Sequence, residues 1–259
     1  MIILIIVKIF VTVGIVVSLS LVAEKISPRW AGLLSGYPTG TALSLFFFGL
    51  EISPQFAAAS VNHNILGIIA TLVFIYLYYR TSLHYSILPT LVIALAGYFC
   101  TVFLLHFIPL NTWLALVLTA IALIIFYYLF KPIQNVVIKE KIILRLPVLL
   151  IRGLSAAVII LIITAAAHVI GPVWSGLFSS FPTATLPLIL IIHLTYNRTA
   201  VHTIIKYMPI GNVALVLYSL TVAFAYPRFG IYVGTAMAFA AATLYLLLYQ
   251  LYKKIRLRI

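Results

Sequence analysis

Residues 28–41 read PRWAGLLSGYPTGT, and residues 172–185 read PVWSGLFSSFPTAT. Eight of these fourteen positions are identical at a single offset of 144: Pro28/Pro172, Trp30/Trp174, Gly32/Gly176, Leu33/Leu177, Ser35/Ser179, Pro38/Pro182, Thr39/Thr183 and Thr41/Thr185. Composition alone gives about one such match, so the pattern marks a duplicated unit. The same offset pairs Lys8 with Arg152, Asn62 with Lys206 and Gly67 with Gly211.

Around the two motifs the chain is apolar. Its 259 residues are 65% hydrophobic and 7% charged, with a mean hydropathy of +1.25, which excludes a soluble domain. A span needs about 20 apolar residues, and nine such stretches lie at roughly 2–23, 29–50, 55–79, 83–106, 110–130, 146–170, 172–194, 199–226 and 229–252. Ser27-Pro28, Ser53-Pro54, Pro109, Gly171-Pro172, Asn197-Arg198 and Pro227-Arg228 mark the short connections. Residues 1–23 lack a basic region ahead of the apolar run, and Leu21 stands where a cleavage site takes a small residue, so this segment reads as the first helix and not a signal peptide.

With nine crossings, twelve of the sixteen Lys and Arg residues fall on one face: Lys25, Arg29, Arg80, Lys131, Lys139, Lys141, Arg145, Arg198, Lys253, Lys254, Arg256 and Arg258. The opposite face holds Arg228, and Lys8, Arg152 and Lys206 lie within helices. The positive-inside rule then places the N-terminus outside and the C-terminus in the cytoplasm. The net charge of +13 is accounted for by topology and gives no reason to invoke nucleic acid. The expected fold is an all-α polytopic membrane protein of nine transmembrane helices. A first four-helix repeat occupies 1–108, a linking helix with its cytoplasmic loop 109–145, and a second repeat 146–259. Four crossings plus one start the second repeat on the opposite face, so the two are inverted, an arrangement frequent in secondary transporters.

Each motif carries a proline inside an apolar stretch. Pro38 frees the carbonyl of Leu34 and Pro182 that of Phe178, so both are expected to break their helices, and Pro187 to interrupt the second again. Both breaks lie about ten residues, or ~15 Å, from a helix end, near the bilayer midplane, where inverted repeats form their substrate sites. The residues expected to line such a site are Ser35, Tyr37, Pro38, Thr39 and Thr41 from one copy and Ser179, Phe181, Pro182, Thr183 and Thr185 from the other. The competing reading is a proline kink packed tightly by small residues. Lys8, Arg152, Lys206 and Asn62 complete the set. The cations either snorkel to an interface or face an internal anion path, and with no acid nearby in sequence they are expected to pair with backbone carbonyls, water or solute.

Chemistry is further bounded by what is scarce. The chain has three acids, Glu24, Glu51 and Glu140, and no Asp, so paired-carboxylate mechanisms and intramembrane carboxylate relays are not expected. Cys100 lies in an apolar run and reads as inert packing; His63, His193 and His202 read as hydrogen-bonding packing residues without metal-ligand spacing. No enzyme motif, metal or cofactor site is recognised.

AGLLSGYPT at 31–39 and SGLFSSFPT at 175–183 resemble the AGL-x(3)-FPT segment of GlpM-like small inner-membrane proteins, departing at Tyr37 for Phe and Ser175 for Ala. Those proteins are single four-helix units, so the resemblance covers both halves and leaves the central helix without a counterpart. It implies a bacterial cytoplasmic membrane location and a fusion of two antiparallel copies. The family is linked by name to glycerol metabolism and exopolysaccharide production, without an established molecular activity. The expected function is a transporter or facilitator for a small polar or anionic solute, with the lipid bilayer and that solute as partners and a homodimer as one open assembly. The alternative is a structural or accessory subunit of an envelope or exopolysaccharide assembly system.

Overall fold

The computed structural model describes residues 2–26, 37–134 and 146–256. Ser35 and the rest of the first motif up to Gly36 lie outside the described residues, as do Leu34 and 135–145 of the central loop. Among the described residues eight helical elements follow one another: α1 Ile2–Ile26, α2 Thr39–Glu51, α3 Pro54–Thr81, α4 Ile87–His106, α5 Thr112–Phe130, α6 Leu146–Ser179, α7 Thr185–Thr195 and α8 Arg198–Arg256. Five of them, α3, α4, α5, α6 and α8, are long and apolar enough to cross a membrane.

The described residues are therefore all-helical and membrane-embedded in character, and α6 and α8 each consist of two helical arms joined at a kink. The stretches 199–226 and 229–252 correspond to the two arms of α8, which meet at a kink at Gly230. The stretch 172–194 is divided at its motif, its first part continuing α6 through Gly171 and its second forming α7. Both glycines have positive φ, 72° and 76°, a region that other residues reach only with strain.

At both glycines the chain turns back on itself. In α8 the Tyr226 hydroxyl meets Thr235 Oγ1 at 2.7 Å, the Tyr218 and Phe239 rings lie 5.0 Å apart, and Tyr245 Oη donates to the Ile210 carbonyl at 3.1 Å. A straight helix would separate residues 210 and 245 by about 52 Å. In α6, Arg152 Nη2 lies 3.4 Å from the Ala184 carbonyl, where an unbroken helix from 152 to 179 alone spans about 40 Å. Pro172, at the first position after Gly171, costs the second arm nothing because that N–H would be unpaired in any case.

Local capping sets the other starts. Ser53 Oγ accepts from Phe56 N at 3.0 Å ahead of Pro54, Asn111 Oδ1 from Leu114 N at 2.8 Å, and Asn197 Oδ1 from Ala200 N at 2.9 Å. Pro187 falls in the first turn of α7 and interrupts nothing, which corrects the expectation of a second break. Helix bounds recur at the sequence offset: Ile2–Ile26 corresponds to 146–170, Pro54 to Arg198, and Ile87 to 231, where α8 resumes after Gly230.

The centre of the bundle is α3. Its apolar window is 67% buried, against 22% for α4 and α5, and it packs against α2, α4, α5, α6 and α8. Cys100 is exposed on α4 and so is not a packing residue as expected.

Candidate functional site

Proline 182 opens a gap between the end of α6 at Ser179 and the start of α7 at Thr185. Inside the gap Thr183 N donates to the Phe181 carbonyl at 2.6 Å and Leu186 N to the Pro182 carbonyl at 2.7 Å. In the first motif Thr39 N donates to the Tyr37 carbonyl at 2.6 Å and Ala42 N to the Pro38 carbonyl at 2.7 Å. The two motifs thus adopt the same turn, residue for residue at the offset of 144. Pro38 caps the start of α2 and does not kink its interior.

A broken helix leaves its last carbonyls without helical donors, and in an apolar surrounding each must be satisfied. Here the donors come from other helices. Tyr98 Oη of α4 reaches the Leu177 carbonyl at 3.1 Å, Thr41 Oγ1 of α2 the Ser179 carbonyl at 3.0 Å, and Thr71 Oγ1 of α3 the Ser180 carbonyl at 2.6 Å. The Phe178 carbonyl, freed by Pro182, accepts from Phe181 N at 3.0 Å.

Asn64 of α3 is the hub. Its Nδ2 donates to Ser179 Oγ at 2.7 Å, and its Oδ1 accepts from Ser219 Oγ of α8 at 2.6 Å. Asn64, Thr41, Ser179 and Ser219 are all buried. This places a compact uncharged polar network from α2, α3, α6 and α8 at the break. The motifs themselves touch: a Cβ added at Gly40 would lie 2.9 Å from Thr183 Cβ. Pro38, Thr39, Pro182, Thr183 and Thr185 are buried here as well. Tyr37 and Phe181 flank the contact on separate sides. Tyr37 Oη meets Thr243 Oγ1 at 2.8 Å, and the Phe181 ring lies 5.0 Å from Tyr98 and 6.4 Å from Phe99, the residue 144 before Thr243.

The cations separate into three environments. Lys8 Nζ lies 2.6 and 2.8 Å from the two oxygens of Glu51 and donates to Thr164 Oγ1 at 2.7 Å. His168 Nε2 approaches Glu51 Oε2 at 3.4 Å. The side chains of Lys8 and Glu51 are both buried, which overturns the expectation that no acid would be available to the helix-embedded cations. Arg152 Nη2 reaches the carbonyl of Ala184, next to Thr183 of the second motif. Lys206 Nζ donates to the Ile133 carbonyl in the turn after α5, the backbone pairing that was one of the expected outcomes. Asn62, the position equivalent to Lys206, is half-buried, and it is Asn64, two residues on, that enters the network.

His193 and His202 hydrogen-bond Tyr78 Oη at 2.9 Å and Ser82 Oγ at 2.8 Å. Nothing in composition or in the repeat spacing marks Thr164, Ser219, Tyr98, Thr71 or Asn64 for these roles, or pairs Glu51 with Lys8. One signal was available: Ser60, Asn64, Gly67 and Thr71 form a small polar stripe on one face of α3. No protein family, curated protein or solved structure matches this chain.

Proposed function

We propose that this chain is a membrane transporter or facilitator for a small polar or anionic solute, with its site where the two Pro-Thr breaks meet. The observation that carries the reading is the Asn64 network. Four helices bring buried hydroxyl and amide groups to the contact of two identical turns, and buried polar groups in membrane helices favour functional positions. Arg152, which donates to the Ala184 carbonyl within the second motif, would favour anions. The proposal requires the breaks to part during a transport cycle, which gives access to the polar groups that now satisfy one another.

The topology proposed with it has nine crossings in two inverted four-helix repeats, at 1–108 and 146–259, joined through 109–145. The reversals at Gly171 and Gly230 and the recurrence of helix bounds at 144 support it, as do the charge pattern and the resemblance to GlpM-like inner-membrane proteins. His84, in the turn after α3, and Arg228, just before the kink of α8 at Gly230, are exposed and are assigned to opposite faces. With Cys100→Ser as background, an impermeant maleimide applied to intact cells is expected to label Arg228→Cys and not His84→Cys. Labelling of both from one side overturns the inverted arrangement.

Flux into proteoliposomes tests the activity, with glycerol, lactate and inorganic phosphate as probes. At least one probe is expected to enter about tenfold faster than into empty vesicles, and the Thr41→Val/Ser219→Ala chain is expected to lose most of that rate. Arg152→Gln should lower anion entry more than glycerol entry. The close contact of Gly40 with Thr183 favours a second reading, a packed structural or accessory subunit. That reading takes over if no probe enters above background or if the variant conducts like the parent.

A further inference from the structure

A groove with a volume of about 450 Å³ runs along the outer side of the bundle between α5 and the two arms of α8. Ile124 and Tyr127 of α5 form one wall, Pro209 and Val213 the second, and Tyr245 and Tyr249 the third. The size lies within the range of small-molecule sites, about 300–1,000 Å³. Ile124 and Tyr127 are largely exposed, so the groove opens sideways to whatever surrounds the helices.

One end of this groove is basic. Lys131 Nζ sits 6.0 Å over the ring of Tyr128, another lining residue, and Lys253 Nζ sits 5.7 Å over the ring of Tyr207. The bond from Lys206 to the Ile133 carbonyl ties the turn bearing Lys131 to α8 one residue from Tyr207. Lys131 and Lys253 are thereby drawn to the same end, with exposed Lys254 beside them. Amphipathic aromatic rings between an apolar slot and a cluster of ammonium groups form the surroundings of an interfacial phosphate.

We infer that this groove holds one anionic phospholipid, an acyl chain between α5 and α8 and the headgroup phosphate at Lys131, Lys253 and Lys254. Charge complementarity selects an anionic lipid over a zwitterionic one. The inference is independent of what solute the chain carries, since no residue lining the groove belongs to the Asn64 network.

Native mass spectrometry of the detergent-purified chain, titrated with phosphatidylglycerol or phosphatidylcholine, tests it. The parent is expected to retain one phosphatidylglycerol with at least a tenfold preference over phosphatidylcholine. Lys131→Gln/Lys253→Gln/Lys254→Gln should lose that preference, and Val213→Phe, which fills the slot from an apolar position, should lose retention of both lipids. Inorganic phosphate in excess should leave retention unchanged, since a free ion lacks the acyl chain. Equal retention of the two lipids by the parent, a preference kept by the glutamine chain, or displacement by inorganic phosphate alone overturns the inference. Thermal unfolding of each variant, matched to the parent, confirms that folded chains are compared.

Discussion

Replacing Glu51 by glutamine is expected to destabilise the chain by about 3–5 kcal/mol, because it leaves the Lys8 ammonium buried without its counter-charge. Thr164 Oγ1 and the face of Phe47, 5.6 Å from Nζ, remain, but neither neutralises a cation. Lys8→Met is expected to cost less than Glu51→Gln, since the His168 ring nitrogen still stands 3.4 Å from the remaining carboxylate. The double change Lys8→Met/Glu51→Gln removes both charges and should recover most of the loss, since neither member then leaves the other as an uncompensated buried charge. Unfolding in mixed micelles, followed by tryptophan fluorescence, gives the three values. Single losses below about 1 kcal/mol that simply add in the double variant would refute a coupled buried pair.

This pair also shows what hydropathy can and cannot disclose. Lys8 was legible as a buried-helix cation, but its partner is 43 residues away, at the end of a stretch where the apolar count stops. A boundary drawn by composition places Glu51 in a loop, whereas the packing of α1 and α6 against α2 covers it. The same limit explains Cys100. Lipid is as apolar as a helix interface, so an unbroken apolar helix such as α4 does not reveal which of its faces is packed.

The turns were more legible than the helices they join. Gly171-Pro172 and the Pro227-Arg228 region were read as connections, and the chain does reverse at Gly171 and at Gly230. Each reversal turns on a single glycine of positive φ, a tightness of backbone geometry that periodicity does not encode. The Pro-Thr motifs were readable as breaks because proline's missing N–H is a property of the residue itself. Which side chains would satisfy the freed carbonyls depended on tertiary neighbours, and Thr71, Tyr98 and Asn64 were found only by the fold.

Those neighbours make the second large prediction, at Gly176. A Cβ there would lie 2.2 Å from the Ser60 carbonyl oxygen, 2.8 Å from His63 Cβ and 3.0 Å from the Asn64 backbone nitrogen. Two of these three are backbone atoms of α3, so the strain cannot be relieved by rotating a side chain. Gly176→Ala must push α3 away from the end of α6, a cost of about 1–3 kcal/mol for overpacking alone. The shift also draws Asn64 from Ser179 and Thr71 from the Ser180 carbonyl, and each buried group left unsatisfied adds about 1–3 kcal/mol. Gly67→Ala meets Ser180 Oγ at 2.3 Å, which can rotate, and the Leu177 carbonyl at 2.9 Å, so its cost should be smaller. Gly14→Ala meets nothing within 4 Å and should stabilise α1 by about 0.5–1 kcal/mol through helix propensity. The expected order of stability is Gly14→Ala, parent, Gly67→Ala, Gly176→Ala, measured by unfolding under one set of conditions. If Gly176→Ala is as stable as the parent, α3 and the end of α6 do not approach at backbone distance, and the Asn64 network loses the contact on which it is built.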